Sequence, residues 1–328
     1  MCRHLEAGER VVGAEALHGG ITAEVRRLTV ETPGCGTREL VLRSYVKPFF
    51  VERAADSLGR EAGALRLLAG TGVPAPELVG VDPGAEQCEY PSLLMTHRPG
   101  RTVLDEDEDQ DADQDEDQDE GGDGNGDEGG ALETRVALLA AQLVAIHAVR
   151  PLERPPTYEA LTTADTVVVP PGGDAAAWAA AIGLIRHPAP PYEGRFLHRD
   201  FQPGNVLFDV PPTAPTRARI TGVVDWAGAS WGPTDLDVAH CCTNLALLHG
   251  PQWGARFAAA YEKAGGVLAG AADERRYWRV RDALAFSEEV AVVARPWQEA
   301  GRTELTTRLV AERLDAYVTG LMDGDATA

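Results

Sequence analysis

A chain of 328 residues, 44% of them hydrophobic, can bury a substantial core as one large domain or two smaller ones. Its net charge of −21 is concentrated: residues 105–128 hold fifteen Asp or Glu and no Lys or Arg, which leaves 36 acids against 30 bases elsewhere. A mildly acidic remainder argues against a nucleic-acid binder, and the lack of any membrane-length apolar run argues against a membrane protein. Five cysteines without metal-ligand spacing and no N-terminal apolar export segment make a reducing cytoplasm the expected location.

In chain order, two extended segments flank His18-Gly19-Gly20, and a Gly pair there suits either a hairpin whose backbone approaches phosphate or an ordinary hairpin. Residues 39–46 read as a strand ended by Pro48, with Val41, Arg43, Tyr45 and Lys47 on one face. A helix over about 52–69 follows, stopped by Gly70 and Gly72, with Leu58, Glu61, Ala62, Leu65 and Leu68 on one face. Glu61 is thus a carboxylate on an apolar stripe and needs a partner if buried. Arg43 is the natural one, and a surface pairing with Arg60 or Arg66 is the alternative. Extended segments at 73–81 and 92–96 lead into His97-Arg98-Pro99-Gly100.

Residues 105–130 form an acidic, Gly-rich, low-complexity run, expected to be a solvated and disordered insertion. Leu132, Val136, Leu139, Leu143 and Ile146 repeat at four-three spacing and define an amphipathic helix that His147 ends as a packed residue. A second helix spans about 174–186, and four more are expected near 235–248, 252–264, 273–293 and 303–321. Glu288 and Glu289 on the third of these face either a basic substrate or solvent.

The chemistry concentrates in 197–225. Asp200 can accept a proton from an attacking hydroxyl. Asn205 offers a neutral oxygen, and Asp225 closes the apolar run Gly222-Val223-Val224 with a carboxylate. Hard cations such as Mg²⁺ take oxygen ligands of this kind, the remainder coming from phosphate and water. Phosphoryl transfer needs little covalent help, so positioning and charge neutralisation carry the rate. A surface turn at Pro203-Gly204 is the plain structural alternative, but it leaves Asp225 and Glu61 without a role.

His198-Arg199-Asp200 followed by Asn205 matches the kinase pattern His-x-Asp-x-x-x-x-Asn. With Phe201-Gln202-Pro203-Gly204 between, and Val224-Asp225-Trp226 after, the chain resembles the aminoglycoside phosphotransferase and choline kinase group, whose loops read like His-Gly-Asp-Leu-His-Pro-Gly-Asn. The resemblance implies an α+β, protein-kinase-like, two-lobed fold: a nucleotide-binding N-lobe over 1–100, the hinge end and acidic insertion over 101–130, and a mainly helical C-lobe over 131–328. It implies ATP and Mg²⁺ as cofactors and a small-molecule hydroxyl as acceptor, with a cationic aminoglycoside as the family's named kind. Carried onto this sequence, Asp200 is the catalytic base, Asn205 and Asp225 are metal ligands, and Arg43 with Glu61 holds the phosphates. The Thr96 carbonyl and Arg98 amide receive the adenine. Asp237, in Asp237-Val238-Ala239, supports the catalytic loop, with Asp235 a helix cap. One departure stands out, because Arg43 occupies the place of the family's lysine and a guanidinium differs from an ammonium in reach and fork geometry. A metabolic kinase of the same fold, of choline, homoserine or sugar-amine type, stands as one alternative, and the arginine at position 43 motivates a nucleotide-binding pseudokinase as another.

Overall fold

The computed structural model describes residues 5–17, 22–34, 36–104, 128–288 and 290–324. His18-Gly19-Gly20, the acidic run over 105–127 and Glu289 lie outside the described residues. Strands β1 (Arg10–Leu17), β2 (Glu24–Thr32), β3 (Gly36–Ser44), β4 (Leu78–Asp82) and β5 (Ser92–Thr96) form one antiparallel sheet in the order β1-β2-β3-β5-β4. Alternation along β3 divides its side chains between two faces. Leu40 and Leu42 join Leu28, Val30 and Leu94 in a small outer cluster, while Val41 faces the main core with Leu93 and Met95. Arg43 shares the Val41 face and is buried. Lys47 does not share it, because the strand ends at Ser44 and Lys47 sits exposed at the N-cap of a four-residue helix, α1 (Pro48–Val51). Pro48 at the first helical position fixes φ for a helical turn there.

The next helix, α2 (Ala54–Leu68), starts two residues later than expected and buries Leu58, Glu61, Ala62, Leu65 and Leu68 as the spacing requires. The four-three repeat of α3 (Glu128–His147) is likewise buried throughout, from Leu132 to Ile146. Asp174 caps α4 (Ala175–Arg186) by accepting the amides of Ala176 and Ala177. Two short antiparallel pairs follow: β6 (Arg195–Leu197) with β9 (Ser230–Gly232), and β7 (Val206–Asp209) with β8 (Arg219–Val223). The rest is helical: α5 (Thr234–His249), α6 (Gln252–Lys263), α7 (Ala272–Ala285), α8 (Val290–Glu299) and α9 (Thr307–Asp323). The molecule is therefore the α+β, kinase-like arrangement of an antiparallel sheet with one long helix joined to a helical body.

Two local expectations change. The helix expected over 273–293 is two, since the Phe286 amide donates to the Ala283 carbonyl and the Ser287 hydroxyl donates to the Leu284 carbonyl, ending α7 in a turn. Asp235 is no cap: Pro233 holds the N-cap, and the Asp235 carboxylate turns away to accept the Ala269 amide. Among the described residues, no helix is long and apolar enough to cross a membrane.

Gly100 joins the sheet to the helical body at φ +108°, and a Cβ there would meet the Thr221 hydroxyl and the Phe208 carbonyl. L-residues rarely adopt that φ, so Gly100→Ala is expected to destabilise the protein by about 1–3 kcal/mol, read as a lowered midpoint in urea.

His249 ends α5, a helix buried on every side, near Arg302, Arg135 and Arg313. Burial and those positive charges push its imidazole down from 6.5 to about 3. Between those two pH values the unfolded chain binds a proton that the folded chain refuses. Stability is therefore complete above pH 6.5 and falls as pH drops towards 3. His249→Gln should flatten the melting temperature against pH across that window; an unaltered slope would show that His249 does not carry it.

Candidate active site

β6 ends at Leu197, and the loop that follows folds back on itself. Gln202 accepts the Gly204 amide from its side chain and Pro203–Asn205 make a single 3-10 turn. β7 then pairs with β8, which brings residue 205 beside residue 224: the Val224 amide donates to the Asn205 carbonyl over 2.9 Å. His198 ties the two chain segments together. Its Nε2 donates to the Val224 carbonyl at 3.0 Å, and its Nδ1 accepts the Asp200 amide at 3.2 Å. That pattern requires a neutral ring, and burial does push the imidazole below its ordinary value.

The loop hangs from α5 by one carboxylate. Asp237 accepts the His198 amide at 2.7 Å on Oδ2 and the Arg199 amide at 2.8 Å on Oδ1. His147 adds Nε2 at 3.2 Å and takes the Tyr261 hydroxyl on Nδ1 at 2.7 Å. Burial alone would raise the Asp237 carboxyl, but the hydrogen bond from His147, with Arg199 nearby, holds it below the usual range. His147 is the packed residue expected from the sequence, and it acts here by fixing Asp237. Arg199 sits at φ +71°, in the left-handed region that favours glycine, and its amide donates to Asp237.

Asp200 follows with a side chain 44% exposed. Its Oδ2 accepts Asn205 Nδ2 at 2.8 Å, so base candidate and amide are locked to each other. Its Oδ1 faces His240 Nε2 at 3.0 Å. His240 was missed in the sequence, though a signal was present. It lies three residues after Asp237 on a helix, so both project from one face towards the loop.

Across the cleft, Arg43 meets Glu61 and Asp225 together. Its Nη1 lies 3.2 Å from Glu61 Oε1 and 2.6 Å from Asp225 Oδ1, while Nη2 lies 3.1 Å from Asp225 Oδ2. The expected strand-to-helix pair is present, and the fork to Asp225 is an addition only a guanidinium can make. Burial opposes charge on Arg43, yet the two carboxylates hold its pKa well above the ordinary value. Burial raises Glu61, only partly offset by Arg43, whereas Arg43 keeps Asp225 below its usual range despite burial. Asp225 itself stands at φ +63°, a left-handed turn that points its carboxylate back under the sheet.

A cavity of about 380 Å³ lies between these groups, lined by Arg43, Thr96, Arg98, Asn205 and Asp225 with the apolar Ala23, Val41, Met95 and Leu207. Five of the seven residues expected from the sequence line it directly. Glu61 stands behind Arg43, and Asp200 is joined through Asn205. The Arg98 side chain has a different task from its amide: Nε donates to the Thr221 carbonyl at 3.0 Å, tying the hinge to β8. The model of the phosphotransferase enzyme family matches residues 13–279, the span that contains all of this geometry.

The chain belongs to the phosphotransferase enzyme family. It is a kinase-type enzyme acting on a small-molecule hydroxyl. This phosphotransferase shares its fold with several solved structures. One is a candidate aminoglycoside phosphotransferase of Ralstonia eutropha JMP134, with 17% identity and a TM-score of 0.60 over 98% of this chain and 95% of that one. Another is a thermostable mutant of aminoglycoside phosphotransferase APH(4)-Ia in complex with ADP and hygromycin B, at 19% identity, TM-score 0.56 and 94% of each chain. A third is macrolide 2'-phosphotransferase type I, at 19% identity, TM-score 0.51, over 95% of this chain and 93% of that one. No curated protein matches the chain.

Proposed function

We propose that this phosphotransferase moves the γ-phosphoryl group of ATP to a hydroxyl of a small molecule, with Asp200 as the base. The observation that carries the reading is the grouping around one cavity of a half-exposed carboxylate tied to Asn205, a second carboxylate at Asp225, and the buried Arg43. Asp200 would orient the hydroxyl and take its proton. Arg43, held by Glu61, would grip the phosphates. The adenine would bond to backbone at Thr96 and Arg98, against the apolar wall of Val41, Met95 and Leu207. Related enzymes in complex with ADP and hygromycin B support nucleotide use and an aminoglycoside-type acceptor.

The donor set fits a hard cation. Asn205 and Asp225 offer oxygens only, and no cluster of three or more His, Cys, Asp or Glu able to hold a metal occurs among the described residues. Mg²⁺ at Asn205 and Asp225 would therefore complete its shell from phosphate and water, and it would supply neutralisation of the phosphate charge. Residues 1–100 would form the nucleotide lobe and 131–328 the acceptor lobe. A reducing cytoplasm suits the buried free thiols of Cys241 and Cys242.

A nucleotide-binding module without turnover is the second reading, favoured by the arginine at position 43, whose guanidinium bonds to both Asp225 oxygens. ATP and Mg²⁺ with a panel of hydroxylated amines, aminoglycosides, choline, homoserine and sugar amines, followed by mass, decides between them. One acceptor gaining a single phosphoryl group is the expected result. Tight nucleotide binding with no ADP formed on any acceptor or on water would establish the module.

A further inference from the structure

His240 on α5 is set between two carboxylates. Its Nε2 lies 3.0 Å from Asp200 Oδ1, and its Nδ1 lies 3.1 Å from Asp282 Oδ1 on α7. Asp282 Oδ2 accepts the Thr243 hydroxyl at 2.8 Å, and that hydroxyl also lies 3.0 Å from the Ala239 carbonyl. Both His240 and Asp282 are buried, at 7% and 3% exposure, and Phe286 packs against the ring at 5.4 Å. The charged groups facing the ring are Asp200 from the loop and Asp282 from α7.

An ionised carboxylate only accepts hydrogen bonds, so a ring with one at each nitrogen must donate from both. Only the imidazolium does that. Burial works against the charge, but Asp282 and Asp200 outweigh it and push the ring up to about 10. His240 therefore has no lone pair with which to take a proton from Asp200 or substrate.

We propose that His240 is a positioning residue for phosphoryl transfer: a buried imidazolium, neutralised from behind by Asp282, that fixes the Asp200 carboxylate towards the acceptor hydroxyl. This rests on the reading of Asp200 as the base. The second acid has a definite use. As the hydroxyl O–H breaks and an Asp200 O–H forms, Asp200 loses its negative charge. With Asp200 as its sole partner, His240 would then be an unpaired buried cation, which is strongly unfavourable. Asp282 keeps it paired, so the trio passes from a net charge of −1 to zero.

The test uses the full chain, labelled with ¹⁵N-histidine and free of nucleotide. At pH 8 both His240 nitrogens should be protonated, where an ordinary imidazole is neutral. Asp282→Asn should lower the pH at which the ring loses its proton, and Asp200→Asn should shift the Nε2 resonance. A neutral His240 ring at pH 7 overturns the proposal, whatever the variants do. With MgATP and water as the acceptor, folded His240→Gln should keep KM for ATP within about twofold while kcat falls on the order of 10- to 100-fold, the scale of a misplaced catalytic group. Normal kcat in His240→Gln beside a dead Asp200→Asn sinks this proposal and leaves the base assigned. Normal kcat in Asp200→Asn sinks the reading of the base itself. Should His240→Gln fail to fold, the wild-type spectrum still decides.

Discussion

Asp200→Asn should lower turnover by about 10²–10⁴, the usual scale for loss of a general base, while nucleotide affinity stays nearly intact. Binding is spared because Asp200 does not line the 380 Å³ cavity; it meets that space only through Asn205. Turnover is lost twice over. An amide takes up a proton far less readily than a carboxylate, and it cannot keep the same contacts. Asp200 accepts on both oxygens, from Asn205 on one and His240 on the other. With Asn205 and His240 donating as they do now, the NH₂ of an Asn meets another N–H whichever way it is turned, so one of them must change its hydrogen bonding and the variant should also lose about 1–3 kcal/mol of stability. Calorimetric titration with nucleotide and a turnover assay on the same preparation check both halves. Near-normal turnover in a folded variant would remove Asp200 from the mechanism.

The second large effect belongs to Arg43. Arg43→Ala leaves Glu61, fully buried, facing Asp225 with no cation between them. Removing one partner of a buried pair costs about 3–5 kcal/mol, because the other charge stays desolvated. The double variant Arg43→Ala/Glu61→Ala should therefore cost less than the sum of the singles. Nucleotide affinity should fall far more for Arg43→Ala than for Lys47→Ala, since Lys47 is exposed beyond the end of β3. Arg43→Lys is the finer comparison. A lysine keeps the charge but cannot fork to both Asp225 oxygens while reaching Glu61, so activity should drop. A rise would identify the arginine as a damaged lysine site, and dependence of affinity on Lys47 alone would move the phosphate grip off Arg43.

Much of this site could be read from the chain, for reasons that differ by residue. The Arg43–Glu61 pair was legible because an apolar helical stripe cannot bury a carboxylate without a cation, and β3 presents one on the facing side. Asp237 was legible from its place in Asp237-Val238-Ala239 after the Asp225 motif. The fork from Arg43 to Asp225 was not, because the two lie 182 positions apart and their meeting depends on how the sheet sits on the helical body. His240 left only a weak trace, its i+3 relation to Asp237, and Asp282 none, since its partner is on another helix. The break between α7 and α8 also escaped periodicity, because a serine hydroxyl and a local turn decide it and the apolar pattern runs straight through.

Asp237 fastens the catalytic loop to α5, and Asp282 fastens His240 to α7, so everything that aims Asp200 belongs to the helical body. Arg43 and Glu61 belong to the sheet and α2, which meet the helical body through the fork to Asp225, the Arg98 bond to the Thr221 carbonyl and the Val223 amide on the Pro74 carbonyl. An opening of the sheet away from the helices would have to break that fork and these other bonds, whereas the bonds from Asn205 and His240 to Asp200 lie within the helical body. Such motions run on the microsecond-to-millisecond scale. Loading and release through such an opening would leave the contacts that aim Asp200 in place from one turnover to the next.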